Sequence, residues 1–356
     1  MDSDALRSSL STALGERVTG LELLADGLNL VVAVGTAEAG PAYVLRRPNR
    51  LRESGLFVDL RTEFEVLQRL EPTPVPAPAP VLFCEAPSGL ERPCCLTTHL
   101  GGEPFPWAAA LPERYRNPDS RDCIATLVVE TLAEVHAVDT GRFEGVCTRL
   151  PPAEQVERTT TRLDVVTDTT GHELPGLRQV GDRLRERAPT DTETTLVHGD
   201  FRPGNLLFAG TDDLRVTGVL DWETAMLGDP LTELGYLLLD WRGGDAPWPS
   251  PDALDVPDDA DGMARIREIH AEGLTPFTTR AGSPSAAELV GRYESLTGRT
   301  LDDGDFYRAL AAFGLATVWA DIHRHAVATG ETEPCDALPV VEYLGLVAER
   351  VLDGSA

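Results

Sequence analysis

One stretch of the chain, residues 196–222, holds the side chains whose types and spacing are best suited to chemistry. His198, Asp200 and Asn205 precede or begin an apolar run, and Asp221 follows a second apolar run after a Gly/Asp/Thr turn. Two apolar runs joined by such a turn are typical of a β-hairpin, which here would carry polar residues at both ends. Two carboxylates and a carboxamide at one edge of a hairpin could hold a divalent cation and orient a hydroxyl for attack on phosphorus. The stretch therefore indicates phosphoryl-transfer chemistry.

The spacing of these residues is similar to that of the catalytic loop of protein kinases. That loop reads H-R-D-x-x-x-x-N, in which the Asp accepts the substrate hydroxyl proton and the Asn binds Mg²⁺, and a metal-binding Asp follows one hairpin later. This chain has HGD at 198–200, then Asn205, then DW at 221–222. The Gly after the His, and Asp-Trp in place of Asp-Phe-Gly, resemble the aminoglycoside phosphotransferase and choline kinase branch of kinase-like folds.

The resemblance implies a role for each of these side chains. Asp200 would be the base or the residue that positions the acceptor hydroxyl, and His198 would support the loop. Asn205 belongs to the catalytic loop and, together with Asp221, would bind Mg²⁺. ATP would supply the phosphoryl group, and catalysis would come mostly from positioning and charge neutralisation.

Near the N-terminus, two strand-like runs flank a short turn that contains Gly27 and Asn29. Small residues in such a turn let backbone N–H groups approach an anion, as a loop that covers phosphates requires. A plain hairpin turn explains the same residues equally well. Gly27 and Asn29 are therefore candidate nucleotide contacts.

The next strand, AYVLRR at 42–47, ends in two arginines. Strand alternation allows only one of Arg46 and Arg47 to face inward. In kinases the equivalent strand carries a Lys that contacts the α/β-phosphates and pairs with a Glu of the following helix. The resemblance assigns these positions to Arg46 and to Glu63, with Arg47 as the alternative clamp.

Thr97 and Thr98 end a further strand, immediately before a Gly-Gly pair at 101–102. In the family that the chain resembles, the adenine edge meets backbone groups at this point between two lobes. Thr97 and Thr98 are therefore predicted cofactor contacts.

The predicted fold is α+β and protein-kinase-like, with two lobes around one cleft. Residues 1–98 would form a small nucleotide-binding lobe with an antiparallel sheet. Residues 99–356 would form a larger, mainly helical lobe for catalysis and substrate binding. Within it, 128–139 has the apolar repeat of a helix packed on one face, and 288–330 reads as two helices joined by a turn at Gly298.

Two residues outside the hairpin are predicted to support it. His136 lies on an apolar helix face, where a lone His is usually a core residue. Asp229 is the predicted N-cap of a helix with Pro230 at its first position, and it would brace the catalytic loop. The stretches 46–48, 198–205 and 288–313 most resemble the phosphotransferase-like domains that accompany acyl-CoA dehydrogenases.

The charge balance is strongly acidic, with 31 basic and 58 acidic residues and a net charge of −27. Every basic side chain is Arg or His, because the sequence contains no lysine. An acidic surface without lysine is typical of a protein from a salt-accumulating organism, where salt screens self-repulsion. Nucleic acid is excluded as a partner, since its phosphates would be repelled.

The expected compartment is the cytoplasm. The six cysteines lack a metal-ligand spacing and are expected to stay reduced. The N-terminus has acids before its first Arg and no apolar core, which does not fit a signal peptide. The longest apolar helix candidate, 309–320, is too short to span a bilayer, so no membrane partner is expected.

Together these features predict an enzyme that transfers the γ-phosphate of ATP to a hydroxyl of a small molecule. The alternative is an inactive kinase-like protein that binds nucleotide and has a regulatory role, a hypothesis favoured only by Arg at the Lys position. A protein kinase fits less well, because no A-P-E-bounded segment follows Asp221. The acceptor and the oligomeric state are left open, since the same fold serves many acceptors.

Overall fold

The computed structural model describes residues 2–37, 40–49, 57–85, 89–90, 92–241, 248–254, 262–330 and 337–354. The N-terminal part is a small antiparallel sheet, as predicted, and it carries the helices α1 and α2. Among the described residues its strands run in the order β1-β2-β3-β5-β4. The elements are α1 (Ser3–Leu14), β1 (Val18–Asp26), β2 (Asn29–Thr36), β3 (Pro41–Pro48), α2 (Leu60–Leu70), β4 (Pro80–Cys84) and β5 (Cys94–Thr98).

This sheet packs against one helix on each face, because successive strand residues point to opposite sides. On one face Leu6 of α1 belongs to a buried cluster with Leu45 and Leu96. On the other face Cys95, the neighbour of Leu96, packs with Phe64 of α2. The alternation along β5 therefore separates an α1 side of the sheet from an α2 side.

The ends of the first two helices differ slightly from the predictions. The helical periodicity of residues 4–15 predicts a cap at Ser3 or Asp4, but α1 is capped by Asp2, whose carboxylate accepts the backbone N–H groups of Asp4 and Ala5. The sequence predicts the second helix over 58–70, whereas α2 begins at Leu60. The predicted lobe boundary at residue 98 stays a prediction, although the last strand of the sheet ends there.

The rest of the chain is mainly helical, as predicted, and the part of it that the structure describes also contains one three-stranded and one two-stranded sheet. Its elements are α3 (Pro118–His136), β6 (Arg149–Leu150), α4 (Pro152–Thr170), α5 (Pro175–Arg187), β7 (Thr195–Val197), β8 (Leu206–Ala209), β9 (Arg215–Val219), β10 (Met226–Gly228), α6 (Pro230–Asp240), α7 (Met263–Glu272), α8 (Ala286–Thr297), α9 (Gly304–Thr329) and α10 (Ala337–Leu352).

Helix α9 lies at the centre of this part and contacts α4, α6 and α10. It contains the predicted apolar segment 309–320 but extends well beyond it in both directions. Buried residues such as Ala312, Phe313 and Ala320 surround much of its circumference, which is typical of a helix inside a protein core. Within the described residues, no helix is both long and apolar enough to cross a bilayer.

Several other sequence predictions can be compared with the structure. The predicted helix at 128–139 is the second half of α3, which ends at His136. Gly298 caps α8 with a φ of +70°, so the turn between the last two predicted helices is where it was expected. The Gly-, Pro- and Asp-rich composition of 243–262 predicts a mobile surface loop, of which residues 243–247 and 255–261 lie outside the described residues. In the described remainder Trp248 is buried beside Tyr343, whereas Ser250, Asp252 and Ala253 are exposed.

Candidate active site

The predicted hairpin is formed by β8 and β9, which pair in antiparallel register. The loop that precedes it runs from His198 to a short 3₁₀ turn that ends at Asn205. Gly199 has a φ of +86°, and a Cβ at this position would lie only 2.5 Å from the carbonyl oxygen of Thr224. The positive φ and this close approach require Gly here, because a side chain would push the loop away from Thr224.

The backbone of this loop is held by Glu233, a buried residue of α6. Its carboxylate accepts the N–H of His198 at 3.0 Å and the N–H of Gly199 at 2.5 Å. His136 contacts the same carboxylate through Nε2 at 3.1 Å, while its Nδ1 lies 2.8 Å from the hydroxyl of Tyr293. Burial alone would raise the pKa of Glu233, but the hydrogen bonds from His136 and from the loop outweigh it and lower the pKa. Glu233 thus stays ionised and anchors the loop.

Asp229 has a different task from the one predicted for it. It is the N-cap of α6, with Pro230 at the first helical position as expected, and it accepts the N–H of Leu231 at 2.9 Å. Its other carboxylate oxygen accepts the hydroxyl of Tyr307 at 2.6 Å, which ties α6 to α9. The loop is braced one turn later, by Glu233. His136 has the structural role that the sequence predicted, because it is buried and positions Glu233.

His198 is fully buried and links the loop to the end of β9. Its Nε2 lies 2.7 Å from the carbonyl oxygen of Leu220, and its Nδ1 accepts the backbone N–H of Asp200 at 3.2 Å. This pattern requires the tautomer with the proton on Nε2. His198 therefore holds the loop at Asp200 against Leu220, the residue before Asp221.

Asp200 is surrounded by hydrogen-bond donors. Its Oδ1 accepts the hydroxyl of Tyr236 at 2.6 Å and Nε of Arg202 at 3.2 Å. Its Oδ2 accepts Nδ2 of Asn205 at 2.7 Å, and the same nitrogen donates to the Asp200 carbonyl at 2.8 Å. The side chain is 28% exposed, so it is held firmly yet remains accessible from the cleft.

Asp221 follows the last residue of β9 by two positions and has a φ of +64°, a left-handed conformation that Asp tolerates better than most residues. Its side chain is 45% exposed. Asn205 uses its amide nitrogen for Asp200, so its Oδ1 is the atom that could bind a cation. Carboxylate and carboxamide oxygens are the hard donors that Mg²⁺ prefers. Within the described residues no group of three His, Cys, Asp or Glu could hold a metal. Mg²⁺ is commonly bound by one or two carboxylates together with substrate phosphates and waters.

Arg46 lies beside Asp221 and contacts three carboxylates. It forms ion pairs with Glu63 of α2, with Asp221 at 2.9 Å and with Glu223 at 3.2 Å. Burial opposes its charge, but the three carboxylates outweigh burial and raise its pKa above the ordinary value. Arg46 is thus permanently charged and links the two parts of the chain.

The register of the sheet explains why Arg46 faces the cleft. Arg46 pairs with Cys95, and Cys95 lies on the α2 side of the sheet. Residues directly opposite each other on neighbouring strands share a face, so Arg46 reaches Glu63. Arg47 points to the other side, where it donates to Asn49 at 2.8 Å.

Glu223 is a site residue that the sequence analysis did not identify. It is buried, and it accepts Nδ2 of Asn29 at 2.9 Å in addition to Arg46. Its backbone carbonyl also accepts the N–H of Val58 at 2.8 Å. The signal was present in the sequence, because Glu223 follows Asp221 by two residues, but its partners Asn29 and Arg46 lie 194 and 177 residues away.

The other predicted cofactor contacts are Gly27, Asn29, Thr97 and Thr98. Gly27 is an exposed residue of the tight turn between β1 and β2, where its N–H donates to the carbonyl of Asn29. The hydroxyl of Thr98 accepts the N–H of Ala79 at 2.9 Å, so it stabilises the edge of the sheet. Thr97 is buried in β5. Asn29 donates to Glu223, which also pairs with Arg46, whereas the side chain of Thr98 bonds to Ala79.

A cavity of about 970 Å³ begins beside Asp200 and extends between α4, α6 and α9. Most of its wall is apolar, including Val165 and a row of α9 residues that contains Leu315, Val318 and Trp319. Its charged lining includes the three arginines Arg158, Arg162 and Arg202 as well as several acids. The cavity offers space for a small molecule whose reacting group reaches Asp200.

Comparisons with known proteins agree with this arrangement. Residues 19–269 match the family described as the phosphotransferase enzyme family. Acyl-CoA dehydrogenase family member 11 of Gallus gallus is 28% identical over 83% of this chain and 36% of its own length. Acyl-CoA dehydrogenase family member 10 of Mus musculus is 27% identical over 98% of this chain and 31% of its own length. The chain thus spans about a third of these curated relatives.

Solved structures show the same fold. A putative aminoglycoside phosphotransferase from Ralstonia eutropha has a TM-score of 0.71 and 23% identity, with 100% of this chain and 99% of that chain covered. A macrolide 2'-phosphotransferase of type I has a TM-score of 0.59 and 19% identity, with coverage of 98% and 96%. The predicted bilobal, kinase-like fold is confirmed by these neighbours. Because the family match spans most of the chain, the protein belongs to the phosphotransferase enzyme family.

Proposed function

We propose that the protein transfers the γ-phosphoryl group of ATP to a hydroxyl of a small molecule. The observation that carries this proposal is the convergence of Asp200, Asn205, Asp221 and Arg46 on one cleft, beside a cavity that can hold an acceptor. Each of these side chains has a task in phosphoryl transfer, and their supports are buried and hydrogen-bonded.

In the proposed reaction the acceptor hydroxyl approaches Asp200, which orients it and takes its proton. The hydroxyl oxygen forms a bond to the γ-phosphorus, and the bond from that phosphorus to the bridging oxygen of the nucleotide breaks. Arg46 stabilises phosphate charge and is itself held by Glu63. Asn205 and Asp221 would hold Mg²⁺, which neutralises phosphate charge when it is bound.

The lining of the cavity supports an acceptor that is largely apolar. Apolar α9 residues would pack against its body. The names of the curated relatives associate such a domain with acyl-CoA chemistry, so hydroxyacyl thioesters belong in a test panel. One neighbour of known structure is a GDP complex of an aminoglycoside 2'-phosphotransferase, which makes GTP the necessary comparison for ATP.

The rival hypothesis is an inactive nucleotide-binding protein. It would be favoured if the chain had no cation for the phosphates. The position of Arg46 beside Asp221 argues against an inactive protein, because a charged side chain is present at the position where kinases have Lys.

A screen of acceptors tests the proposed function. The protein is incubated with MgATP or MgGTP and a panel of hydroxyacyl thioesters, aminoglycosides, choline and sugars, and products are detected by the mass of an added phosphate. We expect transfer to at least one acceptor by the wild type and none by Asp200→Asn. Nucleotide binding without transfer to any acceptor would support the inactive protein instead.

We also propose that the protein is adapted to a salty cytoplasm. The net charge of −27 implies self-repulsion that salt screens, so the melting temperature should rise between dilute buffer and molar KCl. An unchanged or lower melting temperature would reject this adaptation. Five described cysteines are free thiols, which fits the reducing cytoplasm.

A further inference from the structure

Tyr236 forms the shortest hydrogen bond to the Asp200 carboxylate. Its hydroxyl lies 2.6 Å from Oδ1, compared with 3.2 Å for Nε of Arg202 and 2.7 Å for Asn205 on the other oxygen. Tyr236 also lines the same cavity as Asp200. It therefore contacts both the candidate base and the space in which the acceptor would lie.

These contacts restrict where an acceptor hydroxyl can bind. An ionised carboxylate offers about four lone-pair sites, two on each oxygen. Tyr236 and Arg202 occupy two sites on Oδ1, and Asn205 occupies one on Oδ2. One site on Oδ2 is left for the hydroxyl of the acceptor.

The position of Tyr236 on α6 makes this contact rigid. Glu233 lies three residues earlier on the same helix, so the two side chains project from one face. Glu233 holds the backbone of His198 and Gly199, and Tyr236 holds the side chain of Asp200. One helix face therefore fixes both the path of the loop and the direction of its carboxylate.

The phenol of Tyr236 remains a donor over the working range of pH. Burial, followed by the negative charge of Asp200, raises its pKa well above the ordinary value. A phenolate could not donate to a carboxylate, and the raised pKa keeps the proton on the oxygen.

We propose that Tyr236 is a positioning residue of the transfer reaction, which directs the free lone pair of Asp200 Oδ2 at the acceptor hydroxyl and shapes the wall next to it. This role rests on the proposed phosphotransferase function. It predicts that loss of the phenol oxygen slows the chemical step without weakening nucleotide binding.

The chain offers a matched control for this test. The hydroxyl of Tyr307 donates to Asp229 at 2.6 Å, the same kind of bond at the same distance, and Tyr307 lies in the α6–α9 contact. Tyr236→Phe and Tyr307→Phe each remove one oxygen and leave the ring packed, so both variants keep the fold. Thermal melts verify this for each variant.

The measurements are kcat, the KM values for acceptor and nucleotide, and the Kd of the magnesium nucleotide. With the acceptor identified by the screen, we expect Tyr236→Phe to lower kcat by about 10- to 100-fold, because a misdirected base loses its alignment with the hydroxyl. The KM and Kd for nucleotide should stay within about 2-fold of the wild type, which is the split expected for an interaction used mainly in the transition state. Tyr307→Phe should keep wild-type kcat.

Other results would overturn the proposal. A Tyr236→Phe variant with wild-type kcat, or an equal loss in Tyr307→Phe, would show that the phenol is only structural. A crystal structure of Tyr236→Phe with an unmoved Asp200 carboxylate would contradict the positioning role even if kcat fell. Failure of the wild type to phosphorylate any acceptor would instead reject the proposed function, and the role of Tyr236 with it.

Discussion

An Asp200→Asn variant is expected to bind magnesium nucleotide as the wild type does and to lose about 10²- to 10⁴-fold in turnover. The amide cannot take the acceptor proton, yet it keeps the size of the carboxylate. The hydrogen bond from Asn205 to the backbone carbonyl of residue 200, at 2.8 Å, does not depend on the side chain and preserves the loop. Calorimetry measures the binding, and steady-state kinetics measure the turnover.

The companion change Asp221→Ala should affect nucleotide binding as well as turnover. It removes the carboxylate that would hold Mg²⁺, so affinity for the nucleotide should lose its dependence on magnesium and turnover should disappear. Asp213→Asn is a suitable control, since this exposed carboxylate lies in the turn between β8 and β9 and is paired only with Arg215, which is also exposed, among the ion pairs of the described residues. Turnover by Asp200→Asn at a near wild-type rate would refute the assigned roles.

Arg46→Ala is expected to weaken nucleotide binding and turnover by one to two orders of magnitude, roughly the value of a charge-assisted contact to a phosphate. Arg46→Lys should retain part of both, because an ammonium keeps the charge but cannot contact a carboxylate and a phosphate through a planar fork. Arg47→Ala is the matched control, because Arg47 points to the opposite side of the sheet and donates to Asn49.

Arg46→Ala also leaves the buried carboxylate of Glu63 without this partner, which would lower stability for a separate reason. The double variant Arg46→Ala with Glu63→Gln separates the two effects. It should recover part of the lost melting temperature without recovering nucleotide affinity. If it recovered both, or if Arg47→Ala weakened binding as much as Arg46→Ala, Arg46 would not be the clamp.

Some features of the site could be predicted from the sequence because their residues lie close together along the chain. The hairpin, its polar ends and the cap at Asp229 depend on neighbours within a few residues. The choice between Arg46 and Arg47 could not be predicted from the sequence. It depends on which face of the sheet α2 covers and on which arginine lies on that face. Arg46 lies there because it pairs with Cys95, which packs against α2.

The residues that support the site were missed for a related reason. Glu233 and Tyr236 read as ordinary positions of an amphipathic helix, and their partners lie more than thirty residues away in the sequence. Asn29 is a turn residue by sequence, but its amide is used by Glu223. Side chains that hold a catalytic loop from a distance carry no local signal.

The close approach of Arg202 to Gly204 has a consequence for how this loop can evolve. Gly204 has no positive φ, yet a Cβ there would overlap Nη1 of Arg202 and lie 3.3 Å from Cα of Pro106. Arg202 cannot easily move away, since it stacks on Trp107 at 4.4 Å and donates to Asp200. Arg at 202 and Gly at 204 should therefore be inherited together, and a chain with a shorter side chain at 202 should be free to accept a side chain at 204.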